Sequence, residues 1–77
     1  MNPDYIKLAQ IAYDTVLQTM IEGETTHPAN EWQDISTADH AEHIKMHIGK
    51  HRRDKTEDHI AHALTRLAMI KYLESKP

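Results

Sequence analysis

Seven of the 77 residues are histidines, and four of them share one segment with spacings of three, four and four residues. They are His40, His43, His47 and His51. Because a helical residue turns by about 100°, this spacing places the four rings in one arc of roughly 100°, which they share with Ile44. Such a stripe can bind a metal, bind phosphate, respond to pH or pack as a hydrogen-bonded layer. The spacing alone leaves these four alternatives open.

A metal site is the first chemistry that the stripe suggests. Two histidines at i and i+4 on one helix, such as His43 and His47, can chelate one ion. A tetrahedral site needs further ligands from a second helix, and Asp58, His59 or His62 are the candidates. We therefore take a divalent metal as a candidate cofactor, with His43 and His47 as its ligands. The alternative is a polar layer of hydrogen-bonded rings.

A phosphate site is the second chemistry that these residues suggest. Basic residues from Lys50 to Lys55 precede a predicted helix N-terminus, where backbone N–H groups attract anions. His59, His62 and Arg66 follow at i, i+3 and i+7 and extend the same surface. The alternative is a solvated, charged turn. The predicted ligand-binding residues are His47, Lys50, His51, Arg52, Arg53, His59, His62 and Arg66.

Catalysis by carboxylates has weaker support. Asp39 and Glu42 lie opposite the histidine arc on the helical wheel, so we expect them to be solvated. Glu57 and Asp58 are expected to serve the start of the last helix. There is no nucleophile motif and no glycine-rich phosphate loop, so the catalytic residues, if any, stay unknown.

Three helices must position these side chains. Asn2, Pro3 and Asp4 start a helix that runs to about Glu22, with Gly23 as its stop. Residues 24–36 form a loop in which Trp32 covers the core. Ser36 starts a second helix that ends between Gly49 and His51, and Asp54 or Thr56 caps a third that ends near Glu74. The fold class is therefore all-α, a single three-helix domain over residues 1–77 with a long N-terminal helix and a helical hairpin.

Composition limits the partners. The formal charge is −3, which argues against a binder of long nucleic acids. No apolar run is long enough to span a membrane and no leader is visible, so we expect a cytoplasmic protein without membrane contact. A cysteine-free chain of this length gains stability by assembly or by a ligand. We expect a homo-oligomer whose interface contains Met46, Met69, Tyr72 and Leu73.

The stretch from Trp32 to Tyr72 resembles a known family. It contains ADHAEHIKMHIGKH, a short polar turn and EDHIAHALTRLAMIKY. This order is similar to the small helical N-terminal domain of phage dATP/dGTP diphosphohydrolases, in which Glu57, His59, His62 and Ala63 match one motif and His43 or His47 another. The resemblance implies a phage protein that hydrolyses nucleotides to monophosphate and pyrophosphate with Mg²⁺. The paired E-x-x-E and E-x-x-D motifs that hold Mg²⁺ in helical pyrophosphohydrolases are missing.

A shorter stretch, from Thr56 to Leu73, resembles the C-terminal helix of phage cyclic-nucleotide sponges, small oligomers that sequester immune signals. The leading interpretation is thus a phage-type, anti-defence protein that binds a nucleotide or another phosphate ligand without turnover, or that inhibits a host protein. The alternatives are a metal-dependent dATP/dGTP diphosphohydrolase and a protein–protein interaction module with structural histidines.

Overall fold

The chain forms three α-helices and one short 3₁₀ turn, and the computed structural model describes all 77 residues. α1 spans Pro3–Gly23, the 3₁₀ turn Glu31–Asp34, α2 Thr37–Lys50 and α3 His59–Ser75. No strand is present, so the all-α, three-helix prediction is confirmed. The predicted bounds of α1 and α2 agree closely with these spans.

Each helix begins with a polar side chain that accepts a hydrogen bond from a free backbone N–H group. Asn2 caps α1 through Asp4 N at 2.8 Å, and Ser36 caps α2 through Asp39 N at 3.1 Å. α3 is capped by Asp58, which accepts from Ala61 N at 3.0 Å. The prediction of Asp54 or Thr56 as this cap is wrong, because both residues belong to the turn before it.

The end of α1 also differs from the expectation for Gly23. A glycine stop normally uses a left-handed backbone, but no glycine of this chain has a positive φ. Two threonine hydroxyls bind the last carbonyls instead: Thr25 donates to Glu22 O at 2.7 Å and Thr26 to Gly23 O at 3.3 Å. The left-handed residue is Asn30, with φ of 69°, just before the 3₁₀ turn.

α3 is the central helix. It packs against both α1 and α2, and α1 and α2 do not contact each other. The 3₁₀ turn lies on α3 as well, where the rings of Trp32 and Tyr72 meet edge to face with centroids 5.1 Å apart. The expectation that Trp32 folds back onto the body of the protein is therefore correct.

The most buried part of the molecule is unusually polar. Only six residues are buried. Two of them are alanines, Ala61 and Ala63, and the other four are His40, His47, His59 and Thr65. No large apolar side chain is among them. The α2–α3 interface therefore depends on hydrogen-bonded imidazoles where most domains use leucine or phenylalanine. None of the helices is apolar over a stretch sufficient to cross a bilayer.

Candidate functional site

Two of the buried imidazoles, His47 and His59, belong to a group of five side chains where α2 meets α3, which we call the histidine cluster. α2 contributes one residue, α3 contributes two from its first turn, and the connecting turn contributes two carboxylates. The members are His47, Asp54, Glu57, His59 and His62.

A chain of hydrogen bonds runs through the middle of the cluster. Nε2 of His59 lies 3.1 Å from Asp54 Oδ2, and its Nδ1 lies 2.8 Å from Nδ1 of His47. A carboxylate only accepts, so a neutral His59 donates from Nε2 to Asp54 and accepts at Nδ1 from His47. His47 then donates from Nδ1, which leaves its Nε2 with a free electron pair. This is the tautomer of a base or a metal ligand.

A second pair flanks the first. His62 Nδ1 lies 2.6 Å from Glu57 Oε1 and donates to it, and the rings of His62 and His47 meet at a centroid distance of 5.1 Å. Glu57 also reaches His59, with Oε2 3.8 Å from Nε2. The cluster is therefore closed at His59, which is 1% exposed, and open at Glu57, whose side chain is 43% exposed.

Burial and charge oppose protonation of His47. The pKa of His47 lies below its usual value of 6.5, first because of burial and then because of repulsion by His62, with smaller effects from His59 and Arg66; Glu57 acts in the opposite direction. The pKa of Asp54 falls to about 2, because the side chain and backbone of Thr56, followed by His59, donate hydrogen bonds to it. Asp54 is thus a permanent anion behind His59.

The cluster also offers a metal-ligand set. One nitrogen from His47, one from His59 and one oxygen from Glu57 all lie within 4.8 Å of one another. Nitrogen and carboxylate ligands of this kind suit Zn²⁺ and neighbouring transition metals. His47, His59 and Glu57 would hold such an ion, and because a coordinating imidazole nitrogen must carry no proton, its binding would depend on pH.

His40 has a different role from the cluster. It is fully buried; its Nε2 donates to Trp32 O at 2.9 Å, and its Nδ1 accepts from Arg66 at 3.0 Å. Both nitrogens are satisfied within the chain, so the ring joins the 3₁₀ turn to α2 and α3. Burial lowers the pKa of Arg66, and its guanidinium is committed to this structural contact.

The structure separates the predicted residues into two groups. His47, His59 and His62 converge in the cluster, whereas the histidine stripe divides, because His43 and His51 are exposed and His40 and His47 are buried. His43 is not part of the ligand set that contains His47. Lys50, Arg52 and Arg53 are exposed on the turn that also carries Asp54 and Glu57. Arg53 donates to Gly49 O at 3.4 Å, and Lys55 donates to His51 O at 2.8 Å.

Sequence reasoning missed the two carboxylates of the cluster. Glu57 was expected to serve the start of α3, and Asp54 to cap it. Helical periodicity carries no information about side chains in a turn, which is why the wheel did not bring them to the histidines. The sequence did contain a signal for their place in the cluster, because Asp54 and Glu57 lie in the short polar turn just before His59.

The chain matches no protein-family model, and no curated protein or solved structure shows significant similarity to it. The resemblance to the phage diphosphohydrolase domain and to the cyclic-nucleotide sponges therefore stays a prediction, and any functional conclusion must come from the geometry.

Proposed function

We propose that this protein is a binding module that takes a divalent transition-metal ion at His47, Glu57 and His59 and uses it, with the adjoining basic turn, to hold a phosphate-bearing ligand such as a nucleotide. The observation that carries the proposal is the convergence of these three ligands within 4.8 Å. Two of the three histidines in the cluster, His47 and His59, are buried, and a buried imidazole needs partners for its ring nitrogens.

The surroundings of the three ligands support metal binding. Asp54 accepts a hydrogen bond from His59. Carboxylates that bind the other nitrogen of a metal-ligating histidine orient the ring and raise its basicity in this way. The open side at Glu57 supplies an entry path for an ion. Two nitrogen ligands favour Zn²⁺ over Mg²⁺, which prefers oxygen.

The basic turn supports the second half of the proposal. Lys50, Arg52 and Arg53 are exposed; Lys50 is the last residue of α2, and Arg52 and Arg53 lie between it and Asp54. An ion at the cluster would leave a coordination position for a phosphate oxygen, and the nearby cations would neutralise the remaining charge. Binding without turnover is favoured over Mg²⁺-dependent hydrolysis, because Asp54 is engaged by Thr56 and His59 and Oε1 of Glu57 accepts from His62. Only Oε2 of Glu57 is then left for an ion, whereas Mg²⁺ prefers several oxygen ligands.

Calorimetric titration of the untagged, chelator-treated protein with Zn²⁺ tests the metal site. We expect one ion per cluster, much weaker binding of Mg²⁺, and a loss of at least about tenfold in affinity for Glu57→Gln. Asp54→Asn should lose about 10- to 100-fold by disorienting His59. Glu42→Gln is the control, since its exposed carboxylate pairs only with Lys45. Equal Zn²⁺ affinity in all four proteins contradicts the proposal and favours the structural-histidine alternative.

The phosphate half has its own test, which is titration of dATP and inorganic phosphate with and without Zn²⁺. Neutralising Arg52 and Arg53 together should weaken dATP binding and leave Zn²⁺ binding intact. Release of pyrophosphate from any of the four deoxynucleoside triphosphates with Mg²⁺ or Mn²⁺ would contradict binding without turnover and support the hydrolase alternative.

A further inference from the structure

α1 carries more apolar surface than α3 covers. Every residue from 1 to 11 is exposed, and α3 is the one element that α1 contacts. Single exposed apolar side chains are common on monomers, but a contiguous apolar patch marks an interaction surface. Seven large side chains of α1 are 46% to 68% exposed, namely Tyr5, Ile6, Leu8, Ile11, Tyr13, Leu17 and Ile21. Four of the seven, Tyr5, Ile6, Tyr13 and Leu17, line two neighbouring depressions along α1.

Two depressions follow this helix and meet at Tyr13. One, of about 570 Å³, lies between α1 and α3 alongside residues 12–20. The other, of about 560 Å³, follows α1 alongside residues 1–14. Tyr13 lines both, so they form one apolar strip, which we call the α1 groove. α1 has 21 residues, which makes it about 31 Å long, and the groove extends along most of it.

The accessible area indicates how much surface is left uncovered. A compact monomer of 8.9 kDa exposes about 4,800 Å². This chain exposes 6064 Å², which is roughly 1,200 Å² more than that. A stable dimer interface buries about 800 Å² from each partner. The excess is therefore of the size that one partner of similar dimensions would cover.

We propose that a second copy of this chain fills the α1 groove, with the two α1 helices antiparallel across a two-fold axis near Tyr13. A long groove beside a helix is filled best by a helix of equal length, and α1 itself meets that requirement. A two-fold pair uses the same surface on both copies. It brings the uncovered N-terminal half of each α1 onto the C-terminal half of the other.

The interface differs from the one that the sequence predicts. Of the predicted residues, Met69 and Leu73 are half-buried, and Tyr72 packs against Trp32. That surface is partly used within one chain, whereas the N-terminal half of the α1 groove is exposed throughout.

Sedimentation equilibrium at about 100 μM, where a dimer with a micromolar Kd is almost fully assembled, tests the proposal. The wild-type protein should have twice the 8.9 kDa chain mass, and Tyr13→Glu should have the mass of one chain. Ile48→Glu is the control, since Ile48 is exposed to a similar degree but lies on α2. A wild-type mass of 8.9 kDa, or a dimer broken by Ile48→Glu and not by Tyr13→Glu, overturns the proposal.

Cysteine cross-linking tests the geometry without disrupting the groove, because the chain has no cysteine of its own. In the antiparallel pair, residue 6 of one copy faces residue 20 of the other. On mild oxidation, a mixture of Ile6→Cys and Met20→Cys proteins should give the mixed disulfide, and Ile6→Cys alone should not cross-link. Cross-linking of Ile6→Cys with itself, or no mixed disulfide, refutes the antiparallel pair.

Discussion

At the scale of the residue, the decisive property is that His59 uses both ring nitrogens inside the protein. Asp54 fixes which nitrogen holds the proton, and this in turn makes His47 the donor in the 2.8 Å contact between the rings. The contact between the rings needs one Nδ1 without a proton, because two protonated Nδ1 atoms would face each other with no acceptor between them. The cluster therefore loses this hydrogen bond when both imidazoles are charged.

The first prediction is that stability falls with acidity. The pKa of His47 is lowered in the folded protein, whereas the unfolded chain titrates near pH 6.5. Its contribution to stability is therefore complete above about pH 6.5 and is lost as the pH falls towards the folded pKa. The midpoint of urea unfolding should drop between about pH 7.5 and pH 5.5, and His47→Gln should reduce that drop. His43→Gln, at the exposed histidine, should leave it unchanged; a similar effect of both variants would contradict the assignment.

The second prediction concerns the Arg66–His40 contact. Arg66→Met removes the donor to Nδ1 of a fully buried ring, so it should lower the free energy of unfolding by about 1 to 3 kcal/mol. The substitution also removes a partly buried charge, which is favourable. We therefore expect a loss of unfolding free energy towards the lower end of that range. Arg52→Met is the matched control on an exposed site and should stay within about 0.5 kcal/mol of wild type. Chemical denaturation at neutral pH measures both, and equal stability of the two variants would show that the contact contributes nothing.

At the scale of the element, α2 contains a glycine that no contact requires. Gly49 lies in the last turn of α2 with a negative φ, and an added methyl group would meet no atom within 4 Å. Glycine costs a helix interior about 0.5 to 1 kcal/mol relative to alanine. Gly49→Ala should therefore stabilise the protein by up to that amount, as thermal unfolding would show. A lower Tm would contradict the absence of a steric or backbone requirement for glycine at this position.

The elements also show what could be predicted from sequence. Periodicity and capping residues located α1 and α2, because hydrogen bonds from Asn2 and Ser36 are local in the chain. The same reasoning placed His43 beside His47 on the packed face, where the structure has only His47. A helical wheel gives directions around one helix but not which part of the arc the neighbouring helix covers. The helical wheel could not place Asp54 and Glu57 near the histidines, because their approach depends on the path of the turn.

At the scale of the whole molecule, one chain makes an open body. The radius of gyration is 13.3 Å, against about 11.5 Å for a compact domain of this length. α3 connects two regions of opposite character, with the polar histidine cluster against α2 and the apolar α1 groove against α1. Neither region supplies a conventional apolar core to a single chain, because the buried apolar residues are two alanines. The proposed second copy at the α1 groove would cover apolar surface that one chain leaves exposed.

The last prediction follows from this division. If the α1 groove is covered by a second copy, unfolding and dissociation are coupled, and stability must rise with protein concentration. A tenfold higher concentration should add about 1.4 kcal/mol of apparent stability per dimer, seen as a shift of the urea midpoint measured by the fluorescence of Trp32. In Tyr13→Glu the midpoint should be lower and independent of concentration. Addition of Zn²⁺ should raise the midpoint in both proteins, because the histidine cluster lies within one chain. If the urea midpoint of the wild-type protein does not change with protein concentration, α1 folds against α3 alone and no second copy covers the groove.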